Sequence, residues 1–452
     1  MNRNILFYGG ATGVAQIFSF LALFAYTAML KPEMYALVAI FETVILLLQS
    51  CISGAIDRSS QRFYLELEPD KVISTSASIA IAGALLLFPL TIAGTMLSSQ
   101  VTLFEFVIIY VTAVSYVLHT IVIVKYQFAQ RPMDYFLATV AKSLSFLIGS
   151  IFFLYVLKMQ AQSFLYASLT SALILLVISI CVTKPKLSAL GDKALVKEML
   201  SYSLPFVPTL LASWFITWSV RFFMVGHIQA QDIGVFSAAQ KVAMVFFIFT
   251  QTVTLVATPA LFRLLKDGKE EQAKNNMLLS IKALMIVALG ITFFLPDILR
   301  LVMSDEYQNI QGYITILMYV NFIAAILGVS SSILFSYYKK TALQMKVFLF
   351  IALVSITLNS TLIPIFKMHG LVFSLLIPIT LLIFLHFYIV KTQLSFSGLG
   401  SKVMAIAAIF SILLLVSYYL KELGTGKSFV LLYEFGIILT LGFWTYKSRK
   451  VA

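Results

Sequence analysis

Apolar runs of about 20 residues, each long enough to cross a hydrocarbon core of roughly 30 Å as a helix, fill most of this chain. Short charged or turn-rich breaks separate them. The runs, called spans 1 to 14 below, cover residues 5–30, 35–57, 73–95, 101–124, 134–157, 162–183, 203–226, 233–260, 277–303, 311–337, 343–365, 369–390, 402–420 and 428–446. With 60% hydrophobic and 11% charged residues, the chain has too much apolar surface for a soluble globule. The sequence therefore predicts an all-α polytopic membrane protein with about 14 transmembrane helices.

Helices rather than strands are predicted for these runs. A spanning segment finds no water for its backbone, and only helices or closed barrels satisfy their hydrogen bonds internally. A membrane barrel would show alternating segments of about 10 residues, whereas these runs are long and do not alternate. The first run lacks a signal-peptide cleavage pattern, so we expect it to be retained.

The positive charges predict how the chain is oriented in the membrane. Lys and Arg number 32 against 19 Asp and Glu, which gives a net charge of +13. If the N-terminus is cytoplasmic, 23 of these cations fall on the cytoplasmic side and 6 on the opposite side. This asymmetry is the positive-inside pattern, so both termini are predicted to be cytoplasmic. Because orientation accounts for most of the basic charge, nucleic-acid binding is not needed to explain it.

The stretch 184–202 is predicted to be a cytoplasmic linker that divides the helices into groups. It separates an N-terminal six-helix lobe, 1–183, from a C-terminal six-helix lobe, 203–391, and residues 392–452 add two further transmembrane helices and a tail. A weak internal repeat supports the division, since aligning Glu33 with Asp232 places Glu42 on Lys241. Two six-helix halves of the same orientation are parallel repeats about an axis along the membrane normal.

The 23 and 6 cations assigned to the two sides include those near the ends of spans, and they leave three inside predicted spans: Lys142 in span 5, Arg221 in span 7 and Lys241 in span 8. A cation at the centre of a spanning helix costs about 2.5–3.5 kcal/mol on insertion scales, so each needs a partner or a wet cavity. Lys241 is either a cation in a central cavity or half of a structural ion pair with Glu42. Lys142 precedes Ser145 on one helix face, and is either a cavity cation or a buried lysine held by serine and backbone oxygens.

Two tryptophans share a helix face with Arg221. Trp214, Trp218 and Arg221 are spaced i, i+4 and i+7, which places them in one line along span 7. An arginine with two tryptophan rings suits sugar rings bound close to an anion. It equally suits an interfacial aromatic belt in which Arg221 snorkels to the membrane surface.

Span 2 carries its own polar line. Glu42, Gln49 and Ser53 follow at i, i+7 and i+11, so this face is predicted to look into protein or water. At its inner end, Arg58 and Arg62 either meet a headgroup at the cytoplasmic mouth or act as ordinary positive-inside anchors.

Enzymatic chemistry finds little support in the sequence. Cys51 and Cys181 lie in separate spans and the four histidines are scattered, so no metal-ligand spacing is present. No acidic cluster indicates a metal-dependent glycosyltransferase. We therefore predict a transporter with no catalytic residue, no metal and no cofactor.

Several stretches resemble one family of membrane proteins, the polysaccharide-transporter (Wzx-type) branch of the multidrug/oligosaccharidyl-lipid/polysaccharide exporter (MOP) superfamily. The resemblance covers about residues 1–310 and is carried by 4–20, 30–35, 54–58, 197–208, 234–241 and 296–307. Relatives often have an Asp-Arg pair late in helix 7, whereas here Val220 precedes Arg221. A partner for Arg221 within its own helix is therefore not expected.

The resemblance implies a two-lobed, V-shaped bundle, like that of the multidrug exporters, whose helices 1, 2, 7 and 8 line a cleft. It implies a flippase in the bacterial cytoplasmic (inner) membrane. The implied cargo is an undecaprenyl-pyrophosphate-linked oligosaccharide, such as an O-antigen repeat unit of lipopolysaccharide, which is moved from the cytoplasmic to the outer leaflet. The implied partners are membrane lipid, a polysaccharide polymerase and other assembly proteins.

Roles for individual residues follow from this interpretation. Because a pyrophosphate cannot cross hydrocarbon unescorted, Lys142, Arg221 and Lys241 are expected to shield it, with Arg58 at the inner mouth. Residues expected to contact sugar are Trp214, Trp218 and Tyr26. Glu42 is the candidate for coupling to an ion gradient, because an isolated carboxylate changes protonation when its surroundings change.

Three other functions were weighed. A cation-coupled multidrug exporter of the same fold would favour an acidic cavity, whereas the charges predicted inside the spans are mainly basic. A membrane-embedded glycan ligase or glycosyltransferase should show a large outer loop and a pair of metal-binding carboxylates. A scaffold without transport would not need cations deep in its spans.

Overall fold

The computed structural model describes residues 3–96, 102–307, 310–337, 341–393, 398–422, 430, 433–442 and 445. All regular structure among these residues is helical. The α-helices are α1 (Arg3–Met29), α2 (Pro32–Ser53), α3 (Ile56–Phe63), α4 (Pro69–Met96), α5 (Leu103–Phe128), α6 (Pro132–Ile151), α7 (Gln162–Thr183), α8 (Lys193–Ser203), α9 (Val207–Thr217), α10 (Val220–Met224), α11 (Ala230–Ala243), α12 (Val245–Lys266), α13 (Glu270–Leu299), α14 (Ile310–Tyr337), α15 (Thr341–Gln393), α16 (Leu399–Glu422) and α17 (Tyr433–Gly442).

The described residues contain twelve helical stretches that are long and apolar enough to cross a membrane. One of them lies in α15, whose backbone leaves helical geometry at Lys367 (φ 50°, ψ −120°), between predicted spans 11 and 12. Each side of this break is about 39 Å long at 1.5 Å per residue, which exceeds the hydrocarbon thickness. The prediction of an all-α polytopic membrane protein is confirmed. The number fourteen and the cytoplasmic position of both termini stay predictions.

The chain divides into two compact units, Met1–Gly234 and Val235–Ala452. Contacts within the fold thus group the segment 184–234 with the helices that precede it. The predicted lobes 1–183 and 203–391 and the additional segment 392–452 stay predictions, since a compact unit is not the same thing as a transmembrane lobe.

Predicted span 7 is broken into several helical pieces. After α8, a 3-10 turn over Leu204–Phe206 contains Pro205, and α9 begins next to Pro208. A second break separates α9 from α10 at Trp218 and Ser219. Proline lacks the backbone N–H that a continuous helix needs, which explains the first of these breaks.

In the first unit, the backbone at Gly234, in the first turns of α11, approaches the backbone at Pro32, the first residue of α2. The approach is close enough that a Cβ atom at Gly234 would overlap the backbone carbonyl of Pro32. Only glycine permits this approach of two backbones. These are the two segments that the internal repeat aligned.

Two hydrogen bonds connect the predicted linker to α4. Ser74 Oγ donates to the carbonyl oxygen of Lys184 at 2.8 Å, and Ser78 Oγ donates to that of Lys186 at 3.0 Å. Near the middle of the linker, Asp192 forms an ion pair with Lys71 at 2.8 Å and accepts a hydrogen bond from the backbone N–H of Leu195 at the start of α8. The same contacts, Lys71 first, lower the pKa of Asp192. The linker is therefore part of the first unit rather than a loose connection.

Asp192→Asn removes the ion pair with Lys71 and is expected to weaken the attachment of the linker to α4. A depressed carboxylate pKa means that the ion pair contributes fully at neutral pH and is lost only as the pH falls through the lowered value. At neutral pH, trypsin should therefore cleave purified variant protein after Lys186 several-fold faster than wild type. Glu198→Gln, an exposed acid on α8, is the matched control and should cleave at the wild-type rate. If trypsin cleaved Asp192→Asn and wild type at the same rate, the Asp192–Lys71 ion pair would not hold the linker in place.

In the second unit, a buried ion pair joins α16 to α17. Lys421 Nζ lies 2.8 Å from Glu434 Oε1, and Ser417 Oγ donates to the same carboxylate oxygen at 2.7 Å. Lys421 Nζ also donates to the backbone carbonyl of Phe293 in α13 at 3.2 Å. These contacts connect predicted spans 13 and 14 to span 9.

Candidate functional site

A cavity of about 330 Å³, lined by both polar and apolar side chains, lies between helices of the first unit. Its polar lining comes from α2, from the start of α3, from α5 and from α9, and comprises Gln49, Ser50, Ser53, Asp57, Thr120 and Ser213. The rings of Trp214 and Trp218 complete one wall. Gln49 and Ser53 belong to the polar line predicted on span 2. A cavity with hydroxyl and amide groups beside flat aromatic rings suits a sugar.

Arg221 lies one turn beyond Trp218 and is fully buried. Its side chain is 0% exposed, so it does not snorkel to a surface, and the interfacial-belt interpretation does not describe it. Arg221 Nη1 donates to Thr43 Oγ1 at 2.8 Å and to the carbonyl oxygen of Ala39 at 3.2 Å. The guanidinium carbon lies 5.0 Å from the centre of the Trp218 ring, a cation–π contact.

Glu42 neutralises this arginine from the neighbouring helix. Its Oε2 lies 4.0 Å from Arg221 Nη1, and its side chain is 20% exposed. The partner of Arg221 is thus on α2 rather than on its own helix, as expected from the valine at position 220.

One edge of the Arg221 guanidinium has no hydrogen-bond acceptor in the part of the chain that the structure describes. Neither Nε nor Nη2 finds an acceptor there, although both atoms are buried. Buried donors are normally satisfied, and those of a charged group all the more. The Nε–Nη2 edge presents two parallel N–H groups, the arrangement that binds two oxygens of a phosphate.

Lys142 belongs to a second polar cluster. Its Nζ lies 3.9 Å from the centre of the Tyr116 ring, and Tyr116 on α5 shares side-chain hydrogen bonds with Ser168 and Ser171. Ser171 Oγ in turn donates to the carbonyl oxygen of Lys142 at 3.1 Å.

The remaining predicted site residues lie in different surroundings. Arg58 is exposed and its Nε lies 3.8 Å from Oδ2 of the cavity-lining residue Asp57. Lys241 is half-buried on α11 in the second unit, and its role stays a prediction. The buried Nε1 of Trp214 has no hydrogen-bond partner among the described residues.

Tyr26 is not brought to the cavity. Its hydroxyl donates to Ser150 Oγ at 3.1 Å, and its ring packs against Phe146 and Phe164. The side chain is buried where α1, α6 and α7 meet. These contacts favour a packing role over the sugar contact predicted from sequence.

Two contributors to the site were not predicted. Tyr116 had a signal, because Thr112, Tyr116 and His119 are spaced i, i+4 and i+7 and form a polar face on an apolar helix. Thr43 had no such signal in the sequence, since the hydroxyl of a threonine in a spanning helix usually donates a hydrogen bond to a backbone carbonyl of its own helix. Thr43 does donate to Ala39 within α2, and it also accepts from Arg221.

The fold of the described residues is that of a multi-pass membrane protein. The chain belongs to the family described as polysaccharide biosynthesis protein, whose model matches residues 27–311. This confirms the resemblance drawn from the sequence. A comparison with curated proteins finds no significant match.

Solved structures with the same fold come from the MOP superfamily. The lipid II flippase MurJ in an inward closed conformation is 14% identical, with 97% of each chain covered and a TM-score of 0.70. An inward-facing multidrug resistance MATE family transporter is 14% identical, covering 85% of this chain and 96% of that chain, with a TM-score of 0.61. A MOP superfamily transporter from Pyrococcus furiosus is 14% identical, covering 88% of this chain and 95% of that chain, with a TM-score of 0.61. At this identity the likeness establishes the fold.

Proposed function

We propose that this protein is a flippase for a polyprenyl-pyrophosphate-linked oligosaccharide, the repeat unit of an O-antigen or a similar surface polysaccharide. It moves this cargo from the cytoplasmic to the outer leaflet of a bacterial cytoplasmic membrane. The observation that carries the proposal is the buried Arg221, whose Nε–Nη2 edge has no acceptor among the described residues and whose guanidinium lies 5.0 Å from the ring of Trp218, a residue that lines the cavity. That edge binds the pyrophosphate, and the cavity accepts sugar.

Membership of a polysaccharide biosynthesis family supports a glycan cargo. The likeness to the lipid II flippase MurJ supports a lipid-linked one, because both proteins share one fold over almost their whole length. Lys142 and Lys241 supply further positive charge to the transport path, and Arg58 meets the cargo at the inner mouth. The prenyl tail stays in lipid while the two halves of the protein alternate in access. A polymerase and other assembly proteins receive the flipped unit.

One feature favours a second candidate, a cation-coupled drug exporter. Asp57 is the acid in the cavity lining, and an acid suits an organic cation. Several of the solved MATE structures are of multidrug resistance transporters. However, Arg58 lies 3.8 Å from Asp57 and offsets its charge at the mouth. A glycan cargo therefore remains the better supported of the two.

Neutralising Lys142 or Lys241 tests the proposal in cells depleted of the native gene. Removing a charged contact to a phosphate is expected to cost about 1.5–3 kcal/mol, so surface glycan should fall about tenfold or more in Lys142→Gln and Lys241→Gln. Glycan would be quantified by blotting at matched protein abundance. Lys197→Gln, an exposed lysine on α8, is the matched control and should keep wild-type glycan. Unchanged glycan in the first two variants, with altered ethidium accumulation, would favour the drug exporter instead.

A further inference from the structure

The cavity of the first unit has hydrogen-bonding groups that the protein itself does not use. Ser50 and Thr120 each donate to a carbonyl oxygen of their own helix, so their hydroxyl protons are occupied. Gln49, Asp57 and Ser213 also line the cavity, but their side chains form no hydrogen bond within the part of the chain that the structure describes. None of the three is fully buried, so their polar groups are open to a molecule that enters the cavity.

These open groups accept more hydrogen bonds than they donate. The carboxylate of Asp57 is an acceptor only, whereas the amide of Gln49 and the hydroxyl of Ser213 both accept and donate. Asp57 is also the one charged side chain among the described residues that line the cavity. Such a lining matches a ligand that brings several donors and no negative charge. A neutral sugar, with its hydroxyl groups, is a ligand of this kind.

Arg58 offsets the charge of Asp57 only in part. Its Nε lies 3.8 Å from Asp57 Oδ2, which is too far for a hydrogen bond, and Arg58 is not among the described residues that line the cavity. With 55% of its side chain exposed against 25% for Asp57, the cation is the more hydrated of the two. An exposed ion pair is strongly screened, so a second carboxylate brought into the cavity is still repelled by Asp57.

The aromatic wall agrees with a sugar ring as the occupant. Trp214 is 5% exposed and therefore mostly enclosed, whereas Trp218 is half-buried and also lines the cavity. An indole ring offers an apolar face on which a sugar ring can pack while its hydroxyls reach the polar groups around it. At about 330 Å³, the cavity lies near the lower end of the range for ligand sites, about 300–1,000 Å³. This size fits a single sugar residue better than a whole oligosaccharide.

We propose that Asp57 makes this cavity selective for uncharged sugar residues and excludes acidic ones, such as uronic acids. The inference rests on the proposed function, since it takes the cavity as the place where a sugar of the cargo binds. The cargo is then a repeat unit whose residue in this cavity carries hydroxyl groups and no carboxylate. Arg58 limits the selectivity, because it reduces the negative potential that Asp57 creates.

The test compares two free glycosides, methyl glucoside and methyl glucuronide. They differ in one group, which is CH₂OH in the glucoside and a carboxylate in the glucuronide. Each is titrated into the purified full-length protein at neutral pH and equal ionic strength. Tryptophan fluorescence provides the readout, because two of the three tryptophans line the cavity. Wild type should bind the glucoside at least about tenfold more tightly than the glucuronide.

Two substitutions should move this ratio of dissociation constants in opposite directions. Asp57→Asn removes the charge and keeps an acceptor, so the ratio should fall to about twofold or less. Arg58→Gln removes the nearby cation, so the ratio should rise several-fold above that of wild type. Glu198→Gln, an exposed acid on α8, is the matched control and should keep the wild-type ratio.

The outcomes separate the selectivity from the sugar site and from transport. Equal binding of both glycosides by wild type, or an unchanged ratio in Asp57→Asn, overturns the selectivity and leaves a sugar site in place. If Asp57→Asn does not fold, an unchanged ratio in Arg58→Gln overturns the selectivity in the same way. Binding of neither glycoside at tens of millimolar overturns the sugar site and the selectivity together. The proposed function fails separately, if the wild-type protein does not translocate a lipid-linked oligosaccharide.

Discussion

Replacing Arg221 is expected to abolish transport. Arg221→Met removes the charge and both unpartnered N–H groups, and Arg221→Lys keeps the charge but not the two parallel donors. Losing a buried charge-assisted contact is worth about 3–5 kcal/mol, so Arg221→Met should lower translocation at least about 100-fold. The translocation rate of Arg221→Lys should lie between those of wild type and Arg221→Met. The rate would be measured for purified variants reconstituted in liposomes.

Folding defects can be told apart from this loss of function. Removing Arg221 leaves Glu42, whose side chain is 20% exposed and can take up water, so the variant is expected to fold. Arg62→Gln is the matched control, because Arg62 is an exposed arginine paired with Glu66 at 3.0 Å on the surface. A surface pair of this kind contributes little. Near-wild-type transport by Arg221→Met would contradict the anion site.

The largest expected effect on stability is at the Lys421–Glu434 pair. Glu434 is 0% exposed, and Lys421 Nζ lies 2.8 Å from its carboxylate. Lys421→Met leaves this carboxylate buried without its counter-charge, which should lower the free energy of unfolding by about 3–5 kcal/mol. Thermal unfolding of the purified protein in detergent would detect the change.

A double variant identifies the cause. In Lys421→Met with Glu434→Leu, both charges are replaced by apolar groups, so most of the lost stability should return. Lys402→Met removes an exposed lysine that lies 3.9 Å from Glu271 and should have little effect. If the double variant were no more stable than Lys421→Met, loss of packing rather than an unpaired charge would be the cause.

The sequence predicts the fold class well because hydrophobic length is a local property. Each run can be measured against the bilayer without knowing what it packs against. The break in α15 at Lys367 also falls between two predicted runs. The same argument finds Lys142, Arg221 and Lys241, since charges inside apolar runs are visible without a structure.

The sequence does not reveal which side chains contact one another across helices. Glu42 and Arg221 lie 179 residues apart in sequence, and nothing local pairs them. Lys421 falls between predicted spans 13 and 14 and Glu434 falls inside span 14, and nothing in the sequence indicates that the two form one buried ion pair. Glu105 falls inside predicted span 4, but it forms a capping box with Thr102 at the start of α5.

Aromatic residues were predicted with uneven success for a related reason. Trp214 and Trp218 were chosen by their spacing with Arg221, and both line the cavity. Tyr26 was chosen without a partner on its own helix face, and it is buried against Phe146 and Phe164. The linker 184–202 likewise has no sequence mark of its attachment, because the serines that hold it lie more than a hundred residues earlier.

The central claim is that this protein flips a lipid-linked oligosaccharide with Arg221 as its anion ligand. The most direct measurement reconstitutes the purified protein in liposomes that carry a fluorescent polyprenyl-pyrophosphate oligosaccharide in both leaflets. A membrane-impermeant quencher is then added outside. Wild type is predicted to expose the inner-leaflet lipid to the quencher, and Arg221→Met is predicted to behave like empty liposomes. Quenching by wild type that stops at the outer leaflet, or equal quenching by Arg221→Met, would contradict the claim.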